Sequence, residues 1–201
     1  MNFLERVQSV LVAESQAILN IPSDTLINKL PLLAEMILQC KGKVIVSGMG
    51  KNGLIAKRVA ATLSCTGTAS FFVHPSEFQH GDAGMLSDGD ILLALSNSGR
   101  TQEIIDMVER VRTHFPHVSI AIVTGHPEHS LSQFADLSLS YGIIEEPCPF
   151  GLTPTASLAV MSALLDALAL AVMEQRGFTK EQWGINHKLG YLGERAKSKN
   201  E

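Results

Sequence analysis

Two segments of the sequence, rich in glycine or hydroxyl side chains, combine residue types suited to binding an anion. Gly48-Met49-Gly50-Lys51-Asn52-Gly53 follows a β-branched run, and Ser96-Asn97-Ser98-Gly99-Arg100-Thr101 follows an apolar one. Glycines let backbone amides approach an anion, hydroxyls and amides donate to phosphate oxygens, and a helix N-terminus adds about half an elementary charge. We therefore expect phosphate to bind where each segment leads into a helix.

The second segment carries three hydroxyl groups, on Ser96, Ser98 and Thr101, where ordinary helix capping would need one. Capping by Ser98 or Thr101 alone is the alternative, and the surplus of hydroxyls favours a phosphate site. The candidate phosphate-binding residues of the two segments are Ser47, Gly50, Asn52, Ser96, Asn97, Ser98 and Thr101.

The first segment also matches the G-x-G-x-x-G fingerprint of dinucleotide-binding proteins. In those proteins an acidic residue about twenty positions further on holds the ribose hydroxyls. Val73-His74-Pro75 stands at that place here, and Glu77 lies beyond the proline. The spacing of a P-loop does not occur either. We therefore expect no nicotinamide or other cofactor, and a tight turn without a ligand is the alternative for this segment.

The elements that must position these segments are alternating strands and helices. Apolar runs bounded by turn residues predict strands, and apolar residues at intervals of three and four predict helices. The predicted strands are Lys43–Ser47, Ser70–Val73, Ile91–Leu95, Ser119–Val123 and Leu137–Gly142. The predicted helices are Asn2–Asn20, Thr25–Cys40, Leu54–Leu63, Thr101–Thr113, Ser130–Ala135 and a long one from Thr153-Pro154 to about Arg176. This order predicts an α/β fold, a doubly wound five-stranded parallel sheet with helices on both faces and two helices before the first strand.

Length and composition predict one domain. The chain has 201 residues, 45% of them hydrophobic, which supports one core and leaves little room for a second domain of typical size. Residues 1–40 are expected to form helices that pack on the domain or at a subunit interface, and residues 41–193 the domain itself. The tail 194–201, whose one apolar residue is Ala196, is expected to be frayed.

The charge balance disfavours nucleic acid and anionic lipid as partners. Sixteen Lys and Arg against twenty Asp and Glu give a net charge of −4, so no overall positive field exists.

Cys40, Cys65 and Cys148 are odd in number and far apart, which predicts neither a disulfide framework nor a zinc ribbon. Glu5 stands where a signal peptide would begin its apolar region, and we expect a cytoplasmic protein.

Ser157–Met173 is the one stretch that resembles a membrane span. It is shorter than the roughly 20 residues that a span needs, and it carries Asp166 in its middle. We expect a buried or subunit-interface helix and no membrane partner. Its apolar surface is more than a monomer would comfortably expose, which predicts a homodimer or homotetramer.

Histidines form two loose pairs, His114 with His117 and His126 with His129. Each pair spans a proline and a turn beside a strand, and no third ligand is evident. We expect no metal.

Together the motifs resemble a known family. The Ser-Asn-Ser-Gly-x-Thr turn after the third strand, with the glycine segment after the first, resembles the SIS (sugar isomerase) domain. The segments that are further similar to the arabinose 5-phosphate isomerase family are Phe71–Glu77, His80–Met85 and Glu146–Thr155. The similarity extends from about Lys41 to His187. It implies an enzyme that isomerises arabinose 5-phosphate to ribulose 5-phosphate, or a closely similar phosphosugar, through an enediol.

The site residues that the resemblance implies are His80, Glu103, Glu146 and His187. Moving a proton through an enediol needs a base and donors for the developing oxyanion. We expect Glu146 to be the base, because apolar neighbours would strengthen it. Lys51 could place a cation near the phosphate or the enediolate, and an ordinary surface lysine is the alternative. His187 lies far along the chain from both loops and is expected to complete a neighbouring subunit's site.

Three departures from the family pattern bear on specificity and regulation. The family commonly carries a pair of CBS domains after the SIS domain, whereas this sequence ends at Glu201. Asn52 replaces a serine, and His187–Gly193 has lost a proline and a glycine of the family's His-Pro-Gly-Gly-x-Leu-Gly segment. These changes leave the choice of sugar open. A non-catalytic phosphosugar sensor is the alternative function, although about 40 residues before the first strand leave little room for a DNA-binding unit.

Overall fold

A five-stranded parallel β-sheet forms the centre of the molecule. The structure, a computed structural model, describes residues 1–128 and 130–197. The strands are β1 (Val44–Gly48), β2 (Ser70–Phe72), β3 (Ile91–Leu95), β4 (Ser119–Thr124) and β5 (Leu137–Ser140). Their order across the sheet is β2-β1-β3-β4-β5, and every neighbouring pair is parallel. The predicted α/β fold with its five-stranded parallel sheet is confirmed.

Helices flank the sheet within the described residues. They are α1 (Phe3–Leu19), α2 (Leu30–Gln39), α3 (Lys51–Cys65), α4 (Pro75–Gln79), α5 (Gln102–His114), α6 (Ala156–Gln175), α7 (Lys180–Asn186) and α8 (Gly190–Lys197). The helices α1 and α2 precede β1, as predicted, with a π-helical turn at Thr25–Lys29 between them. The sequence did not predict α4, α7 or α8, because helices of 5, 7 and 8 residues hold too few turns for a recognisable apolar period.

Alternate strand residues face two helical layers. Val44 and Val46 of β1 are buried in a core shared with α2, α3 and α6, whereas Ile45 is buried in a second core with α5. Since successive side chains of a strand point to opposite faces, this division places α3 and α5 on opposite sides of the sheet.

The strand order reverses between β1 and β3. From β1 the chain crosses to β2 on one side, and from β3 it crosses to β4 on the other. The loops after β1 and β3 therefore diverge to opposite faces and leave a crevice at the carboxyl ends of the two strands. Open α/β sheets bind ligands at such a switch point.

The helix α6 lies within the helical layer and packs against α1, α2 and α3. Among the described residues it is the one helix long and apolar enough to cross a membrane, and half of its most apolar window is buried inside the molecule. At the surface, an ion pair between Arg58 of α3 and Asp166 of α6, with N–O distances of 2.8 and 3.0 Å, links the two helices. This packing is that of a core helix.

The last two helices lie at the opposite end of α3 from the crevice. Asn186, the last residue of α7, donates to the carbonyl of Cys65, the last residue of α3, at 3.3 Å. The expected frayed tail begins at Glu194, but α8 is helical to Lys197. Residues 198–201 of that tail lie outside the described residues.

Candidate functional site

A cleft of about 290 Å³ opens at the switch point between β1 and β3. The residues that line it come from the loop after β1, the loop after β3 and the start of α6: Met49, Lys51, Asn52, Asn97, Ser98, Pro154 and Leu158. The two segments singled out in the sequence thus meet in one place, although they are far apart along the chain. Met49, Pro154 and Leu158 are apolar contributors that sequence reasoning missed.

The glycine segment forms a tight turn that presents the first turn of α3 to the cleft. Gly50 precedes α3 with a φ of +59°, a conformation that favours glycine. A Cβ on Gly53 would lie 2.7 Å from the carbonyl oxygen of Gly48, so the turn also requires a close backbone approach. The helix begins at Lys51, earlier than the predicted Leu54. Lys51 and Asn52 are therefore first-turn residues, and their side chains border the cleft together with the positive end of the helix dipole.

Ser47, one of the predicted phosphate-binding residues, is not among the residues that line the cleft. Its side chain is fully buried, and its hydroxyl donates to the carbonyl of Val73 at 2.8 Å. Val73 follows β2, the edge strand next to β1. The hydroxyl therefore joins two strand ends and has a structural role.

The hydroxyls of the second loop are held close to one another. The oxygens of Ser96 and Thr101 lie 3.1 Å apart, and the Ser98 hydroxyl accepts from the backbone N–H of Arg100 at 3.2 Å. Thr101 precedes α5, but its side chain makes no capping hydrogen bond. Simple helix capping therefore does not account for these hydroxyls, and Ser98 lines the cleft.

Glu146 caps the helix α6 with both of its carboxylate oxygens. One oxygen accepts the backbone N–H groups of Thr155 and Ala156 at 2.8 and 2.9 Å, and the other accepts that of Ser157 at 3.2 Å. The sequence predicted Pro154 at the first helical position, whereas α6 begins at Ala156. The difference arises because a carboxylate from well upstream satisfies the N–H groups of the first turn.

This capping leads to a stability prediction. We expect Glu146→Gln to lower the free energy of unfolding by about 1–3 kcal/mol, because the amide nitrogen cannot accept from the helix N–H groups. Urea denaturation of this variant and of Glu145→Gln, an exposed neighbour, measures the difference. Equal midpoints for the two variants, with turnover lost in Glu146→Gln alone, would instead mean that the carboxylate acts on the substrate.

The other two candidate side chains at this edge of the sheet are Glu103 and His80. Glu103 is half-buried in the first turn of α5, and among the described residues no hydrogen bond or ion pair engages its carboxylate. His80 is exposed at the end of α4, immediately before Gly81. Neither side chain lines the cleft of this chain.

His187 is remote from the cleft of its own chain. It follows α7, stacks on Trp183 with a centroid distance of 3.8 Å, and places Nδ1 at 3.1 Å from the Trp183 carbonyl. Its neighbour Asn186 contacts the end of α3, whose 15 residues span about 20 Å from Lys51. The structure therefore does not bring His187 and Lys51 together within one protomer.

The loop between Glu146 and α6 contains a thiol with an unusual pKa. The Thr153 hydroxyl and the backbone N–H groups of Thr153, Phe150 and Leu152 lower the pKa of Cys148 from 9.0 to about 6. The thiolate is the nucleophilic form. We therefore expect iodoacetamide to alkylate Cys148 at pH 7 near its maximal rate, with the rate falling as the pH drops through about 6.

Mass spectrometry of the labelled peptides measures this selectivity. Cys40 and Cys65 are internal controls, because burial raises the pKa of both thiols above 9.0. Thr153→Val removes the hydroxyl donor and should shift the Cys148 profile to higher pH. Equal labelling of all three cysteines at pH 7 would contradict the expected profile.

Groups of three or more His, Cys, Asp or Glu side chains that could hold a metal ion are absent from the described residues. Of the histidine pairs in the sequence, His126 binds the carbonyl of Asn97 through Nδ1 at 2.9 Å. His129 lies outside the described residues.

Several known proteins are similar to this chain. Arabinose 5-phosphate isomerase KdsD of Shigella flexneri is 42% identical over 193 residues, which are 96% of this chain and 58% of that protein. KdsD of Pseudomonas aeruginosa is 46% identical over 161 residues, 80% of this chain and 49% of that protein. The chain thus spans about half to three-fifths of the length of these curated relatives.

Solved structures match over nearly their whole length. The crystal structure of a Bacteroides fragilis NCTC 9343 protein, described as a phosphosugar isomerase involved in capsule formation, is 39% identical, with a TM-score of 0.87, and the match covers 92% of this chain and 97% of that one. The structure of an Escherichia coli CFT073 protein in complex with arabinose 5-phosphate is 33% identical, with a TM-score of 0.86, 93% of this chain covered and 100% of that one.

A family profile described as SIS domain matches residues 36–171, which include the whole sheet, both cleft loops and most of α6. Together with the fold, the cleft and the relatives, this match leads to one conclusion: the chain belongs to the SIS domain family.

Proposed function

We propose that this protein is an aldose-ketose isomerase acting on a phosphorylated sugar, with arabinose 5-phosphate and ribulose 5-phosphate as the first substrate pair to test. The observation that carries the proposal is the cleft in which Lys51, Asn52, Asn97 and Ser98 converge at the switch point. The relatives named arabinose 5-phosphate isomerase, and the similar structure solved with arabinose 5-phosphate bound, support this choice of sugar.

The two loops supply donors for the phosphate. Phosphate at neutral pH accepts hydrogen bonds and carries negative charge, so hydroxyl, amide and ammonium groups suit it. The Ser98 hydroxyl and the Asn97 amide come from the loop before α5, and Asn52 lies in the first turn of α3. The two helix N-termini point their positive ends at the same cleft.

The proposed reaction moves one proton between neighbouring carbons. A base removes the proton from C2 of the aldose, and the electron pair passes through C1 to the carbonyl oxygen, giving an enediolate. The proton of the C2 hydroxyl then passes to the oxygen on C1, and the base returns its proton to C1, which produces the ketose. Substrate and product are isomers, so the balance requires no oxidant and no reductant.

We assign the base to Glu103 rather than to Glu146, to which we give a positioning role. The Glu103 side chain does not line the cleft itself, but it lies in the first turn of α5, directly after the loop that carries Ser98 into the cleft. The Glu103 carboxylate is unengaged within the described part of the chain, whereas Glu146 uses both oxygens to cap α6. Lys51 would stabilise the enediolate oxygen by its charge. Imidazole suits opening of the sugar ring near neutral pH, and this role falls to His80 and His187.

A complete site would need a second subunit. His187 lies about 20 Å along α3 from Lys51, so it would act on the cleft of a partner protomer. The exposed apolar side chains of α1, among them Phe3 at 85% and Leu19 at 82%, support a homodimer or homotetramer in which α1 lies at an interface. We propose a soluble, cytoplasmic oligomer.

Incubation of the purified protein with arabinose 5-phosphate, followed by assay for ribulose 5-phosphate, tests the proposal. Conversion with a steady-state kcat supports it, and a panel of pentose and hexose phosphates then ranks the substrates. Tight binding of every sugar phosphate without any conversion would overturn it in favour of a non-catalytic sensor.

A further inference from the structure

Asn97 is fixed by hydrogen bonds on both its backbone and its side chain. Its carbonyl accepts from the backbone N–H of Gly125 at 3.0 Å, the hydroxyl of Thr124 at 3.1 Å and Nδ1 of His126 at 2.9 Å. Its side-chain oxygen accepts from the Tyr141 hydroxyl at 2.6 Å. The end of β4 thus holds the backbone of Asn97, and the residue after β5 holds its side chain.

The Tyr141 contact decides which end of the Asn97 amide can meet a ligand. A side-chain amide has an acceptor oxygen and a donor nitrogen that point in different directions. With the oxygen bound to the Tyr141 hydroxyl, the nitrogen and its two N–H groups are directed away from that ring. Since Asn97 lines the cleft, the nitrogen is the end available to an anion.

The surroundings of Tyr141 keep its hydroxyl in place as a donor. The side chain is 1% exposed, so the ring cannot swing into solvent. Burial, with a smaller contribution from the charge of Glu146, raises the pKa of the phenol, which keeps it protonated at neutral pH. Within residues 1–128 and 130–197, the titratable side chains with an electrostatic or hydrogen-bonding relation to this pair are Glu146 and His126.

Gly125 makes room for this arrangement. A Cβ at that position would lie 2.3 Å from the side-chain oxygen of Asn97 and 3.1 Å from the ring of Tyr141. Its φ is not in the left-handed region, so the requirement for glycine is one of space. The amide, the phenol and the bare backbone at Gly125 therefore form one packed unit.

We propose that Tyr141 is a positioning residue for the sugar-phosphate site, where it orients the Asn97 amide with its N–H donors toward the phosphate. The inference rests on the proposed function. In the absence of the hydroxyl, the amide can rotate and present its oxygen, which repels a phosphate. The loss should fall on ligand affinity and spare the proton transfer itself.

The test uses Tyr141→Phe in the full-length protein, with arabinose 5-phosphate as substrate and inorganic phosphate as a competitive inhibitor. We expect the KM and the inhibition constant of phosphate each to rise about tenfold, with kcat changed by less than about twofold. Gly125→Ala retains the Tyr141 hydroxyl but places a methyl group against the Asn97 amide, and it should raise both constants in the same way. The double variant Tyr141→Phe/Asn97→Ala should be no weaker than Asn97→Ala alone.

Thr66→Val is the matched control. It removes a buried hydroxyl that donates to the carbonyl of Thr62 at 2.7 Å, at the end of α3 opposite to the cleft, so it should lower the melting temperature as Tyr141→Phe does, while KM and phosphate inhibition stay near the wild-type values. Wild-type constants in Tyr141→Phe, or additive losses in the double variant, would overturn the proposal while the proposed function stands. If the wild-type protein binds phosphate but shows no turnover, the dissociation constants of phosphate for the wild-type protein and the variants provide the same comparison. Failure of the wild-type protein to bind any sugar phosphate would overturn both proposals.

Discussion

Glu103→Gln is expected to lower kcat for the isomerisation of arabinose 5-phosphate by about 10²–10⁴-fold, the range that proton transfer by a positioned side chain contributes. Glutamine retains the shape of the side chain but cannot accept a proton at neutral pH. Since the residues proposed to bind the phosphate are unchanged, KM should change by less than about threefold. Steady-state kinetics of the two proteins at the same pH measure both quantities.

Glu109→Gln is the control for this experiment. Glu109 is exposed, lies on the same helix α5 and is remote from its N-terminal end, so its loss should leave kcat unchanged. A Glu103→Gln enzyme with near-normal kcat would exclude Glu103 as the base. The kinetics of His80→Ala and of Glu146→Gln would then decide between the two other acid-base candidates at this edge of the sheet.

A second large effect is expected when two inactive variants are combined. Lys51→Ala and His187→Ala should each reduce turnover by about 10²-fold or more. If each site takes Lys51 from one protomer and His187 from another, co-expression in equal amounts should restore about a quarter of the wild-type activity. One half of the sites then has an intact Lys51, and one half of those also has an intact His187.

Activity is expected to be restored only if each site takes residues from two protomers. If both residues served one protomer's own cleft, every site in the mixture would carry one substitution, and activity would stay at the level of the single variants. Co-expression of Lys51→Ala with Glu103→Gln is the control. The proposed function assigns both residues to the cleft of one protomer, Lys51 from the first turn of α3 and Glu103 from the first turn of α5, so these two variants should not complement. The same samples, analysed by sedimentation, report whether the protein is a dimer or a tetramer.

The sheet and the loops that follow β1 and β3 were predictable because their sequence signals are local. Continuous apolar runs such as Ile91–Leu95 identify buried parallel strands, and turn residues after them identify the loops. The start of α3 was predicted too late for the same reason. Its first turn, Lys51–Gly53, has no apolar residue, since that turn faces the cleft and not the core.

The contacts that were missed join residues far apart in the chain. Glu146 satisfies backbone groups of α6, Ser47 donates to Val73, and Tyr141 binds Asn97 across 44 residues of sequence. Each contact depends on which strand ends become neighbours. The sequence identified the residue types that could hold a phosphate, but the strand order was needed to tell which hydroxyls and carboxylates are already used by the fold.

The capping of α6 by Glu146 also affects how the range of substrates can change. Because Glu146 binds the backbone of Thr155 and Ala156, the intervening residues 147–154 form a loop whose two ends are clamped together. Lengthening a loop whose ends are already held costs little entropy, about 0.6 kcal/mol for a doubling of its length. Residues inserted beside Phe150 would therefore change the loop that carries Pro154 into the cleft, while α6 kept its place. This loop is therefore a suitable position for insertions that change the sugar specificity without altering the rest of the fold.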